Sequence, residues 1–167
     1  LTAGVIAAEH MANSEQGVKV TLVESPDVKP IGVGEGTWPT MRGTLQKMGV
    51  NETDFFLECD ASFKQGAKFA KWVTGAEDDF YYHPLVLPQG FETINLAPYW
   101  QPQAEQVCFA DAVSFQGHLC EQGLAPKQIT TPEYAHVANY AYHLDAGKFA
   151  VFLQKHCTEK LGVKHVL

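Results

Sequence analysis

Only one arginine, Arg42, occurs in the 167 residues, and all lysines and arginines together number 12 against 19 aspartates and glutamates. A net charge of -7 offers no basic face to hold a phosphate backbone, so no nucleic-acid partner is expected. Nor is there an apolar run near the ~18 residues that a membrane span requires, or a basic-then-apolar leader over residues 1–10. No membrane association is expected, and the chain reads as soluble and cytoplasmic. The four cysteines, Cys59, Cys108, Cys120 and Cys157, form no C-x-x-C pair. His10, His118, His136, His143, His156 and His165 are equally scattered, which leaves no ligand set for zinc or non-haem iron. These cysteines read as reduced, structurally buried thiols, these histidines as structural, and no metal is expected.

With 46% hydrophobic residues, the chain can bury a core as one domain over residues 1–167. Residues 1–12 have helical spacing but no cap, and residues 163–167 start an apolar run after Gly162, so the expectation is a fragment truncated at both ends. Between these ends helices and strands alternate. A helix over 1–12 leads through a turn at 13–17 to a β-branched run, 18–24, that should be a buried strand ending on Glu24. A glycine-rich loop fills 30–39. Helices are expected over 40–48, over 52–59 with Asn51 as cap, over 104–121, and over 145–161 with Asp145 as cap and Gly162 as stop. A strand is expected over 64–73, and 77–102 is too rich in proline and aromatics for a regular element.

Three features carry chemistry. A strand that follows a helix and ends on an acid has the form of the second half of a dinucleotide-binding βαβ unit, with Glu24 placed to accept from ribose hydroxyls; a solvated strand cap reads the same way. In the loop, Gly32, Gly34 and Gly36 would let backbone amides approach a flat ligand closely, although three glycines also suit a tight turn. Lys64 has small and apolar neighbours, and desolvation lowers an amine's pKa; by position alone it is also an ordinary surface lysine, like Lys68 and Lys71. The rings of Phe80, Tyr81, Tyr82, Phe91, Tyr99 and Trp100 suit either the core of a proline-rich loop or the wall of a cavity.

The strings Val20-Thr21-Leu22-Val23-Glu24-Ser25-Pro26, Ile31-Gly32-Val33-Gly34-Glu35-Gly36-Thr37-Trp38-Pro39 and Ser62-Phe63-Lys64, the last followed by Lys68-Phe69-Ala70-Lys71-Trp72, resemble the flavin-dependent tryptophan halogenases. The resemblance continues through Tyr82-His83-Pro84-Leu85, Pro98-Tyr99-Trp100 and Ala141-Tyr142-His143-Leu144-Asp145, in the family's order and over essentially the whole chain. It implies the N-terminal part of an α/β, FAD-binding Rossmann-like fold of the p-hydroxybenzoate hydroxylase type. The cofactor-binding residues it implies are Glu24, Gly32, Val33, Gly34, Glu35, Gly36 and Thr37, with Glu35 lying at the flavin.

By the same resemblance, reduced FAD from a separate flavin reductase, with O2 and halide as co-substrates, gives hypohalous acid, which Lys64 delivers to an electron-rich aromatic carbon. His83, Pro84 and Leu85 fall where the family flanks its indole. A leucine stands where the family carries a phenylalanine, which loses ring stacking worth ~0.5–1.5 kcal/mol. Tryptophan, an indole or another electron-rich arene therefore all remain as substrates, and a homodimer stays open. Two other readings stand beside this one: an FAD-dependent aromatic hydroxylase, which needs no lysine at position 64, and a flavin-binding module without activity.

Overall fold

The structure, a computed structural model, describes residues 1–12, 18–28 and 36–167. The chain divides into two compact units, Leu1–Ser62 with Ala141–Leu167, and Phe63–Tyr140.

In the first unit, helix α1 spans Thr2–Ala12, followed by strand β1 at Thr21–Val23. Helices α2, Thr40–Lys47, and α3, Glu52–Glu58, come next. The expected cap on α3 forms, with Asn51 Oδ1 accepting from the Asp54 N–H at 3.0 Å. After strand β5, Ala141–His143, Asp145 Oδ1 accepts from the Lys148 N–H at 2.8 Å and opens α7, Ala146–Glu159. Gly162, at φ +64, ends that region in a conformation side chains disfavour, and β6, Lys164–Val166, runs parallel to β1 with Leu22 opposite His165.

Phe55, fully buried, centres this unit's core. It meets Tyr142 edge to face at 4.8 Å and Phe149 at 5.6 Å, and Phe152 lies at 6.2 Å. The buried Tyr142 hydroxyl donates to the equally buried Glu52 at 2.7 Å, which satisfies two polar groups inside an apolar layer. One expectation fails here. Thr21, Leu22 and Val23 are exposed, because β1 pairs with β6 and no other strand among the described residues.

In the second unit the single strand expected over 64–73 is two. Strand β2, Ser62–Lys64, begins in the first unit's last residue, and β3, Gly66–Ala70, follows after Gln65. Strand β4, Phe80–Pro84, lies in the stretch read as irregular and pairs antiparallel with β3, with Gly66 opposite Pro84 and Phe69 opposite Tyr81. Phe69 and Tyr81 stack at 5.1 Å, a cross-strand pair of the kind that sets register. Helix α4, Ala97–Trp100, continues into a 3₁₀ turn at Gln101–Gln103.

The long helix expected over 104–121 is broken into α5, Phe109–Val113, and α6, Gln116–Glu121. Ser114 is extended at φ -146, ψ 135, and the break turns Gln116 fully into the interior, where its amide meets backbone groups. Polar satisfaction thus outweighs helical periodicity. Among the described residues no helix is long and apolar enough to cross a membrane. Cys59 and Cys157 are buried, Cys108 and Cys120 half-buried, and all four are free thiols.

Candidate active site

Glu24 follows β1 directly, at the carboxyl end of the parallel pair, the edge at which open α/β sheets receive nucleotides. Its N–H donates to Val166 O at 3.1 Å, so its backbone is held by the neighbouring strand. Glu24 Oε1 lies 2.7 Å from His165 Nε2, and His165 Nδ1 lies 3.0 Å from Gln154 Nε2. Since the Gln154 amide nitrogen can only donate, Nδ1 accepts and Nε2 carries the proton that it donates to Glu24. The sequence reading took His165 as structural and missed this contact.

The Glu24 side chain is 53% exposed, so its carboxylate keeps acceptor capacity beyond His165. It borders a depression of about 300 Å³ lined also by Leu22, Val151, Gln154 and His165. An exposed, oriented carboxylate at this edge can accept hydrogen bonds from a ligand's hydroxyl groups.

Gly32, Val33, Gly34 and Glu35 lie outside the described residues. The end of their loop is described. Gly36 bridges antiparallel to His143, the Thr37 N–H donates to Tyr142 O at 2.8 Å, and Thr37 Oγ1 accepts from the Tyr142 N–H at 3.0 Å. Thr37 therefore ties the loop to β5, whose Tyr142 lies in the core.

In the second unit Lys64 ends β2 and is half-buried. One residue on, Gln65 O accepts from the Leu85 N–H at 3.2 Å. Two residues on, Gly66 lies so close to β4 that a Cβ there would meet His83 O at 2.6 Å. The hairpin thus holds the Lys64 strand end against the His83–Pro84–Leu85 segment, residues about twenty positions apart in sequence.

Along this hairpin runs a cavity of about 1090 Å³, at the upper end for small-molecule sites. Phe69, Phe80, Tyr81, Tyr82, Trp100 and Phe109 supply its aromatic walls, and His83 and Pro84 line it too. Trp100 is fixed by its Nε1–H donating to Val107 O at 2.8 Å and by edge contact with Phe109 at 5.4 Å. Of the aromatics read as core or wall, Phe91 and Tyr99 are not among the lining residues and are exposed. Leu85 is 7% exposed and sits in the core, while Val86, Leu87 and Pro88 continue the cavity wall.

Beside this wall, Lys68 Nζ contacts Glu121 at 2.6 Å and lies 3.9 Å over the Phe80 ring, and the Tyr82 hydroxyl also bonds Glu121. The bond to Glu121 raises the lysine's pKa and lowers the carboxylate's, which marks Lys68 as a fixed cation and not a neutral amine. Three backbone N–H groups, of Val73, Thr74 and Gly75, converge on Asp79 Oδ2 and hold that carboxyl below its usual range. Among the described residues no group of three His, Cys, Asp or Glu side chains is placed to hold a metal.

The tryptophan halogenase family model matches residues 2–167. The chain belongs to the tryptophan halogenase family. It is 32% identical to the tryptophan 7-halogenase RebH of Lentzea aerocolonigenes over 99% of this chain and 34% of that one. The tryptophan halogenase structure from Shewanella frigidimarina matches with a TM-score of 0.87 and 52% identity over 99% of this chain and 33% of its own. A flavin-dependent halogenase from Xanthomonas campestris matches with a TM-score of 0.73 and 26% identity, over 99% of this chain and 33% of its own. The chain thus spans about a third of the length of the halogenases it matches, and its fold is part of their α/β, FAD-binding Rossmann-like fold.

Proposed function

We propose that the chain is the N-terminal part of a single FAD-binding halogenase domain. On this reading it contributes the ribose-binding acid and the halogen-delivering lysine of an enzyme that halogenates tryptophan or another electron-rich indole or arene. The observation that supports the reading is the hairpin: Lys64 ends the strand whose next residue bonds Leu85, and His83 and Pro84, just before Leu85, line an aromatic-walled cavity that Lys64 itself does not line.

Glu24 would hold the adenosine ribose, kept in orientation by His165. The loop of Gly32, Val33, Gly34, Glu35, Gly36 and Thr37 would lie against the flavin, with Thr37 holding the loop to β5. Reduced FAD, delivered by a flavin reductase, supplies with O2 the oxidising equivalent that turns halide into hypohalous acid.

Lys64 holds that acid by hydrogen bond and aims its halogen at the substrate. The carbon–halogen bond forms as the oxygen–halogen bond breaks, and the ring proton and hydroxide leave as water. His83, Pro84 and the aromatic walls hold the arene, and Leu85 supports them from the core. Their work is to position the reactants and to keep the oxidant from solvent. A cytoplasmic enzyme acting as monomer or homodimer accords with this reading.

Lys64→Ala in the full-length enzyme tests it. Halogenation should fall by ~100-fold or more, while FAD binding and oxidation of reduced flavin persist, because positioning alone can supply that factor. Lys64→Arg should do nearly the same damage, since guanidinium has a different shape and basicity. Lys71→Ala serves as an active control. Lys64→Ala turning over near the parent rate would remove the assignment, and a hydroxylated product from the parent would make the enzyme a monooxygenase.

A further inference from the structure

Strand β4 stops at Pro84, and beyond it the chain turns away from β3 to form the Val86–Pro88 wall of the cavity. At that point the ladder offers the Leu85 N–H only Gln65 O, at 3.2 Å, yet the N–H groups of Leu85 and Val86 both meet a side-chain acceptor. Gln116 Oε1 accepts from each of them at 2.7 Å. Gln116 Nε2 donates to Asn139 O at 2.6 Å, and Asn139 Nδ2 donates back to Leu85 O at 2.9 Å. Leu85 is therefore gripped at both its N–H and its C=O by side-chain amides. Gln116 is wholly buried, where a glutamine persists only with its hydrogen bonds made.

An apolar residue would fill the same volume without desolvating an amide, so what Gln116 adds is directional. Its oxygen defines where the backbone leaves the hairpin, between His83 and Pro84 on one side and Val86, Leu87 and Pro88 on the other. Because Gln65 O shares the Leu85 N–H, the same clamp sets how far this segment stands from the strand end that carries Lys64.

We infer that Gln116, completed by Asn139, is a positioning residue of the arene site, setting the spacing between Lys64 and the His83–Pro88 segment. This inference rests on the halogenase reading and goes beyond it, since neither amide is needed to hold flavin or to generate oxidant.

The test uses the full-length enzyme with tryptophan and indole as probe arenes. It measures KM, arene binding to flavin-free protein, and the share of hypohalous acid that escapes to a soluble scavenger. In Gln116→Met the halogenated product per reduced flavin oxidised should fall about tenfold, with escaped oxidant rising to match and arene affinity falling, as expected when reacting groups are misplaced by a fraction of an ångström. Gln116→Glu keeps an acceptor for both N–H groups but sets a carboxyl oxygen against Asn139 O in place of the donating amide, so it should recover only part of the coupling.

Parent-like coupling, KM and arene binding in Gln116→Met would overturn the inference whatever its melting temperature. If that variant does not fold, Asn139→Ala, which removes the bond to Leu85 O and leaves the Gln116 oxygen in place, should show the same split at smaller amplitude, and parent-like values there overturn the inference. A parent enzyme that binds FAD but halogenates neither probe fails the functional reading itself, and the inference with it. An active parent with unaffected variants fails the inference alone.

Discussion

Both units are rich in aromatic residues, and they use them in opposite ways. In the first unit the rings of Tyr142, Phe149 and Phe152 each meet Phe55 edge to face. In the 63–140 unit, by contrast, Phe69, Phe80, Tyr81, Tyr82, Trp100 and Phe109 stand around a cavity. A closed aromatic cluster contributes stability through burial, whereas rings that face a void keep much of their apolar surface for a ligand. The buried polar groups divide in parallel. Tyr142 and Glu52 lock side chain to side chain inside a core, while Gln116 and Asn139 lock side chain to backbone at a cavity's rim. On the proposed reading the first arrangement belongs to the cofactor's scaffold and the second to the substrate's site.

That division is broken most sharply at Glu24. Glu24→Ala in the full-length enzyme should weaken FAD binding by about 10- to 100-fold, the loss expected for hydrogen bonds to a charged acceptor. Indole binding to the flavin-free protein should not change. A parallel loss of both, by flavin and indole titration, would show that the two units do not serve separate ligands.

Tyr142→Phe comes next. It takes a hydroxyl donor from a buried carboxyl group and should cost about 1–3 kcal/mol in denaturant unfolding. Indole binding should persist wherever the variant is folded, and an unchanged unfolding midpoint would show that the Glu52 contact carries no stability.

The smallest effect sharpens the comparison through the thiols. Burial, with Glu58, Asp145 and Asp60 adding their charges, pushes the Cys59 thiol up to about 11 from 9.0. A raised folded-state pKa means that this contribution to stability is complete below pH 9 and is lost as the pH rises from 9 towards 11. Cys59→Ala should flatten the stability curve over that interval. In a thiol-reagent time course the half-buried Cys108 and Cys120 of the second unit should react before Cys59 and Cys157.

Where structure depends on neighbours in the chain, the sequence was readable. Asn51 and Asp145 cap α3 and α7 as expected, and Gly162 takes the left-handed conformation that ends the last helix. The reading went wrong where tertiary partners outweigh local pattern. The apolar periodicity of 104–121 hid the break at Ser114 that turns Gln116 inward, for which a glutamine among apolar positions was the available signal. The prolines and aromatics of 77–102 hid β4, whose existence depends on pairing with β3.

The motif strings around Glu24, Gly36 and Lys64, in their order, were enough to identify the family, since residue type and spacing are properties of the chain alone. Only the tertiary structure brought His165 to Glu24 across 141 positions, Thr37 to Tyr142 across 105, and Gln116 to Leu85 across 31. Such partners leave no periodic trace, because strand register and the packing of α6 on β4 select them, and a buried donor takes whichever acceptor the fold delivers.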